Sequence, residues 1–220
     1  MTVIAKVVVA GASLSAIGWG GYAISHLLSG NTLGEVLKDK GYELLSFDIS
    51  KKDDKSTWDP IVKAYSSSAT IFEGTKITIT PSTSSAPSQD NVDALKRACE
   101  KVTSSKNYKD SDLLIAEQFC VTPKSIRELI GKNRVTLKVE KDQTGEDSEW
   151  DIKVQKYLTS GESKKISGIS ITSSEPSDEK GKRDRLKEAC STLGGKKTYD
   201  TDFHTSLPKF IDWCSVPKKP

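Results

Sequence analysis

The chain has 220 residues, of which 33 are basic and 30 are acidic, so its formal net charge is +3. Because the two signs are interspersed, the composition is typical of a solvated mixed surface and excludes the concentrated basic footprint of a nucleic-acid-binding protein. Hydrophobic residues make up 35% of the chain, a low share that predicts small cores.

The first predicted element is an apolar helix near the N-terminus. No charged residue occurs from Val7 to Ala23, and apolar residues continue to Leu28. Such a stretch is long enough to cross a bilayer core of about 30 Å. We therefore predict a single-pass signal-anchor in residues 1–29, with residues 7–28 in the membrane. A cleaved signal peptide is the first alternative, because Ala23-Ile24-Ser25 resembles a small-x-small cleavage site, and a buried helix of a soluble domain is the second.

The rest of the chain is predicted to be two tandem copies of one module, module 1 in residues 30–123 and module 2 in residues 124–220. Landmarks recur at an offset of 91 to 94 residues, which is a signature of internal duplication. The matching pairs are Trp58 and Trp150, Tyr65 and Tyr157, Leu95-Lys96-Arg97-Ala98-Cys99 and Leu186-Lys187-Glu188-Ala189-Cys190, and Cys120 and Cys214.

Each module is predicted to open with a short capped helix and then a strand. A hydroxyl and a carboxylate three residues later form a capping box at Thr32 and Glu35, and again at Ser125 and Glu128. Apolar residues then alternate with polar ones, which predicts a half-buried strand. The alternating residues are Leu45, Phe47 and Ile49 in module 1 and Val135, Leu137 and Val139 in module 2.

A helix that carries the tryptophan comes next. Ser56 with Asp59, and Ser148 with Asp151, predict a second capping box at its start. An apolar stripe at i, i+4 and i+7 follows, and we interpret it as core packing rather than as a ligand-stacking surface. The stripe consists of Trp58, Val62 and Tyr65 in module 1 and of Trp150, Val154 and Tyr157 in module 2.

A short strand and a helical hairpin are predicted to complete each module. The β-prone ranges 76–80 and 169–172 are expected to pair with the earlier strand, and a polar loop follows each range. The hairpin carries one cysteine on each arm. The predicted fold class is therefore α+β and helix-rich: a transmembrane helix, then two copies of capped helix, strand, Trp helix, short strand and Cys-Cys hairpin.

Four cysteines, two at corresponding places in each module, follow the export-type segment. This arrangement favours the disulfides Cys99–Cys120 and Cys190–Cys214. Each would close a loop of roughly twenty residues and stabilise its small domain by about 3 kcal/mol. Reduced cysteines that fill core positions are the alternative. Zinc is a third possibility, although neither spacing is of the CxxC type.

No catalytic constellation occurs in the sequence. The GxSxG, P-loop, HExxH and GxGxxG patterns are absent. Cys190 and His204 could act as nucleophile and base, but module 1 has no histidine. The triplets Asp110-Ser111-Asp112 and Asp200-Thr201-Asp202 are interpreted as turn residues that open a helix rather than as cation ligands. We therefore predict no enzyme activity, no cofactor and no metal site.

Several motifs together carry a resemblance to a known family. They are the apolar N-terminal helix, Gly41-Tyr42-Glu43-Leu44-Leu45-Ser46, the Trp58 to Tyr65 helix, the Leu-Lys-x-Ala-Cys element and the terminal Trp213-Cys214. In these motifs the chain resembles the paralogous proteins encoded in large numbers by haemotropic mycoplasmas, which are regarded as membrane or surface antigens. The resemblance implies exposure at the cell surface, and it supplies no functional residues.

These observations favour a membrane-anchored, extracytoplasmic protein without catalytic activity, whose modules contact host proteins or antibodies outside the cell. No nucleic-acid partner is expected. Two alternatives stay open. One is a hydrolase of unfamiliar type with a cleft between the modules. The other is a membrane scaffold or assembly protein that associates through the small residues Ala12, Ala16 and Gly20.

Overall fold

The computed structural model describes residues 30–78, 86–131, 134–140 and 145–218. The predicted membrane segment, residues 7–28, lies outside the described residues. Within them the fold is helix-rich α+β, with eight α-helices and one two-stranded sheet. In chain order the elements are α1 (Leu33–Asp39), α2 (Lys55–Ser66), α3 (Gln89–Thr103), α4 (Asp110–Phe119), α5 (Ile126–Ile130), β1 (Arg134–Thr136), α6 (Asp147–Thr159), a 3-10 turn (Glu162–Lys164), α7 (Glu179–Gly195), α8 (Phe203–Cys214) and β2 (Ser215–Pro217).

The predicted capping boxes at the module starts are confirmed. Glu35 N donates to Thr32 Oγ1 at 3.3 Å, and Thr32 N donates to the Glu35 carboxylate at 2.6 Å. Ser125 and Glu128 repeat both bonds at the start of α5. α1 ends shortly before Gly41, whose φ of +88° lies in the left-handed region that favours glycine. Each module therefore begins as its local sequence predicts.

The Trp helices begin earlier than predicted. Ser56 and Ser148 lie inside α2 and α6 rather than at their caps. The two carboxylates expected to complete the boxes pair with cations instead. Asp59 accepts from the lysine one turn earlier at 2.6 Å, and Asp151 accepts from Arg183 of α7 at 2.6 Å. The second predicted capping box is therefore wrong in both modules, because an ion pair holds each carboxylate.

The strand pairing also differs from the prediction. β1 pairs antiparallel with β2, the residues that follow the last cysteine, and Val135 lies opposite Val216. Among the described residues, the ranges 76–78 and 169–172 form no strand, so the predicted short strand is wrong there. The reason is that β2 follows α8 without a loop, so the end of α8 places β2 directly beside β1.

Module 1 has a shortened version of this ladder. Leu45 N donates to Cys120 O at 3.1 Å, as Leu137 N donates to Cys214 O at 3.0 Å. Together with the bond from Thr122 N to Glu43 O at 2.7 Å, the Leu45 bond forms a single antiparallel bridge between Leu44 and Val121. The predicted strand of module 1 is thus reduced to one bridge.

The predicted helical hairpins are present, and a disulfide closes each of them. Cys99 of α3 is bonded to Cys120 after α4, with 5.4 Å between their Cα atoms. Cys190 of α7 is bonded to Cys214 of α8, with 5.5 Å between Cα atoms. All four cysteines are fully buried, and the buried apolar side chains of the described residues form one contiguous cluster. The division into an anchor and two separate domains stays a prediction.

Candidate functional site

The aromatic residues that mark the repeat lie in the core. Each has 0% exposure: Trp58, Tyr65, Trp150 and Tyr157. The two tyrosine rings meet the last helix of their own module edge-on. The ring of Tyr65 lies 5.1 Å from that of Phe119, and the ring of Tyr157 lies 4.9 Å from that of Trp213. None of the four rings has a face open to a ligand.

The tyrosine hydroxyls hold the loop that follows each Trp helix. Tyr65 Oη accepts from Phe72 N and donates to Thr75 O, both at 2.9 Å. Tyr157 Oη accepts from Ile166 N at 3.1 Å and donates to Ile166 O at 3.3 Å. Burial raises the pKa of both phenols, so they remain protonated donors at neutral pH. In module 2 this places the loop of residues 166–170 against α7 and α8.

A buried lysine lies against each repeated tryptophan, and sequence analysis assigned it no role. Lys96 is 0% exposed and Lys187 is 2% exposed. Their ammonium nitrogens lie 5.8 and 5.9 Å from the ring centroids of Trp58 and Trp150. Lys96 also donates to both carboxylate oxygens of Asp54, at 2.8 and 2.9 Å. The signal that could have found these lysines is their recurrence in the Leu-Lys-x-Ala-Cys element.

Cys190 and His204 do not form a nucleophile and base. The sulfur of Cys190 is held in a disulfide. His204 faces module 1, where its Nε2 lies 2.9 Å from Leu114 O. The histidine therefore belongs to a contact between the modules.

That contact joins α4 to the first turn of α8 and to the turn that precedes it through polar groups. Gln118 Nε2 donates to Asp200 O at 2.7 Å. Next to it, the buried Glu117 forms an ion pair with Lys40 and lies 3.8 Å from His204 Nδ1. The modules are thus joined by hydrogen bonds and one shared acidic group at this point.

The acidic triplets stabilise the turns before α4 and α8 by hydrogen bonds to the backbone, as their sequence predicts. Asp112 Oδ2 accepts from Lys109 N at 2.9 Å, and Asp200 Oδ2 accepts from Lys197 N at 2.9 Å. Across the described ranges, no three His, Cys, Asp or Glu side chains are grouped so that they could hold a metal ion.

Two concave surfaces are the candidates for a binding site. A cavity of about 530 Å³ lies in module 2 between α7, α8 and the loop 166–170. A more open cleft of about 560 Å³ lies between α2 of module 1 and the turn 196–202 of module 2. Lys196 and Asp202, which form an ion pair at 2.7 Å, border both surfaces.

No helix in the described ranges is both long enough and apolar enough to cross a membrane. The segment 7–28 lies outside those ranges. Comparisons of the chain with models of protein families, with curated proteins and with solved structures each found no match.

Proposed function

We propose that this protein is held in the cell membrane by residues 7–28 and exposes its two modules outside the cell as a non-catalytic interaction or antigenic surface protein. The observation that carries the proposal is a buried disulfide within each module. Disulfides persist in oxidising compartments, whereas cytosolic thiols are kept reduced. An apolar segment followed by two disulfide-closed modules suits a chain that has crossed a membrane.

The placement of side chains supports a binding role rather than a catalytic one. The cysteines and the repeated aromatic residues lie in the core. The described surface carries charges that often pair locally, such as Lys180 with Asp184 and Lys165 with Glu162. Substitutions on such a surface cost little stability. The exposed face can therefore vary while the core is kept, which suits recognition by host proteins or antibodies.

Protease treatment of intact cells that carry the full chain tests the location. An antibody against residues 145–218 reports the intact module 2, and a cytoplasmic protein serves as the internal control. We expect the antibody signal to disappear while the control survives. A fully protected signal would contradict the proposal.

Thiol alkylation of the same cells provides an independent test. After denaturation without a reducing agent, we expect all four cysteines to resist alkylation, and after reduction we expect all four to react. Cysteines that react without reduction would show that the disulfides are not formed in the cell, and the main support of the proposal would be lost.

The cleft between α2 and the turn 196–202 favours a second candidate, a hydrolase that works between the modules. Lys63 and Ser67 line one side of this cleft, and Tyr199 and Asp200 line the other. A broad hydrolase screen on the purified full chain tests this candidate. Turnover that disappears in Ser67→Ala and in Asp200→Asn would support it. No turnover on ester, amide, phosphoester and glycoside substrates would remove it.

A further inference from the structure

The cavity of module 2 has the size and lining of a small-molecule site. Its volume of about 530 Å³ falls within the range of roughly 300 to 1,000 Å³ that is usual for ligand pockets. Three apolar side chains of its lining, Ile166, Ala189 and Leu193, are each 6% exposed. Thr192 and Thr205 add hydroxyl groups to the lining. The cavity thus combines a small apolar surface with a larger number of polar and charged groups.

Two cations of the lining have no carboxylate partner among the described residues. Arg185 Nη1 donates to Ser170 O at 2.8 Å, and Lys209 Nζ lies 3.4 Å from Ser167 Oγ. Both bonds reach the loop 166–170 and leave the positive charges unneutralised.

The lining also carries opposing charges. Asp202 is neutralised by its ion pair with Lys196 at 2.7 Å. Glu188 is the other carboxylate of the lining, and it is exposed. Two cations without a carboxylate partner therefore stand against one carboxylate, and Arg185 and Glu188 are both exposed, so the lining carries a small excess of positive charge that favours an anion.

Module 1 lacks both cations at the matching positions. Arg185 lies five residues before Cys190, and the residue five before Cys99 is Ala94. Lys209 lies five residues before Cys214, and the residue five before Cys120 is Ile115, which is buried. The shared disulfide hairpin therefore does not need these cations. The positive charge beside the cavity is therefore a feature of module 2 alone.

We propose that this cavity binds a small organic anion, in which a carboxylate or a phosphate is carried by an apolar body. The guanidinium of Arg185 suits bidentate contact with either head group, and the ammonium of Lys209 adds a point charge. The apolar part of the ligand lies against the buried side chains of the lining. Arg185 and Lys209 give up only a carbonyl and a hydroxyl contact to accept the ligand.

Calorimetric titration of the full chain in a non-ionic detergent tests this site. The titrants are benzoate, phenyl phosphate, benzyl alcohol and inorganic phosphate. We expect benzoate or phenyl phosphate to bind, and the tighter of the two identifies the preferred head group. We expect benzyl alcohol and inorganic phosphate to bind at least about tenfold more weakly, because each lacks one half of the recognised chemistry.

Variants separate this site from general attraction of anions. Arg185→Ala with Lys209→Ile imports the module 1 residues and should weaken binding at least about tenfold. Arg97→Ala with Lys101→Ala removes the same charge from α3 and should leave binding unchanged. Hydrogen exchange should show protection of residues 166–170 by the bound anion.

Three outcomes would overturn the inference. The first is the absence of detectable binding of both benzoate and phenyl phosphate up to about 10 mM. The second is an equal loss in both double variants, which would indicate non-specific charge attraction. The third is equal binding of benzyl alcohol, which would show that the cations do not contribute.

Discussion

At the scale of single residues, a buried ammonium group lies against the repeated tryptophan of each module, and in module 1 it also binds the preceding loop. Lys96 Nζ donates to the backbone oxygens of Asp48 and Lys51, both at 3.0 Å, as well as to the Asp54 carboxylate. Three residues of the loop before α2 therefore bind the same ammonium group of α3. The buried ammonium group has a hydrogen-bond acceptor for each of its protons. If the ammonium group were removed, these acceptors would lose their donor.

Replacing Lys96 by Met should destabilise the protein by about 3 kcal/mol, because it leaves a partly buried carboxylate and two carbonyl groups without their donor. The measurement is the free energy of unfolding in urea, followed by tryptophan fluorescence. Lys101→Met changes an exposed lysine of the same helix and should stay within about 0.5 kcal/mol of the wild type. The double variant Lys96→Met/Asp54→Asn should cost less than the two single variants together. Additive losses would show that the ion pair contributes nothing.

The capping box of α5 yields a second prediction. The hydroxyl and the backbone N–H of Ser125 lower the pKa of Glu128 to about 2. Because this value lies below the unfolded one, the carboxylate stabilises the fold above about pH 4.5, and the contribution is lost as the pH falls towards 2. Ser125→Ala should raise the pKa of Glu128 and cost about 1 kcal/mol. An NMR titration of the Glu128 carboxyl measures the shift, with Thr32→Ala as the control that leaves it in place. An unchanged pKa in Ser125→Ala would contradict this account.

At the scale of elements, two cationic side chains bind the C-terminal end of α8. Lys153 Nζ donates to Asp212 O at 2.6 Å and to Ser215 O at 2.9 Å. Arg134 Nε donates to Ser215 Oγ at 2.7 Å. Cations are favourable where a helix leaves its last carbonyl groups unpaired. These two side chains thus connect α6 and β1 to the end of the last helix.

Stability should rise with pH because of Lys153. Burial, and then the neighbouring ammonium of Lys156, lower its pKa from 10.5 to about 8. Between these two values the unfolded chain binds the proton more strongly than the folded one, so stability increases with pH. The wild type should gain about 1 kcal/mol over Lys153→Met from about pH 7.5 to about pH 9.5, a figure reduced for solvent screening. Urea unfolding across this range measures the gain. Lys156→Met should shift the rise to higher pH, and a flat difference between wild type and Lys153→Met would refute the assignment.

Elements fixed by neighbouring residues could be predicted, and those that depend on distant partners could not. The capping boxes at Thr32 and Ser125 need only residues three positions apart, so the sequence pattern was sufficient. The predicted capping box of Ser148 and Asp151 was wrong because the Asp151 carboxylate pairs with Arg183, which lies on another helix. β1 pairs with residues after Cys214 for a similar reason, since that partner is more than 70 residues away. The cavity of module 2 was missed because its wall is a loop positioned by Tyr157.

At the scale of the whole molecule, a few polar bonds and a contiguous buried apolar cluster connect the modules. Gln118 donates to Asp200 O, and His204 contacts Leu114 O. Each such bond contributes about 1 kcal/mol. A disulfide within one module contributes more, about 3 kcal/mol for the 24 residues that separate Cys190 from Cys214. The internal bonds of a module should therefore dominate its stability.

Removing one disulfide should accordingly weaken one module and largely spare the other. Cys190→Ala with Cys214→Ala should cost module 2 about 3 kcal/mol, seen as faster amide hydrogen exchange in residues 145–218. Residues 30–78 and 86–123 should lose less protection, because the polar bonds between the modules contribute only about 1 kcal/mol each. Cys99→Ala with Cys120→Ala is the matched variant and should give the reverse pattern. Equal loss of protection in both modules would mean that the contiguous core unfolds as one unit, and the predicted domain boundary at residue 123 would be wrong. The ratio of the two losses therefore measures how strongly the duplicated modules depend on each other.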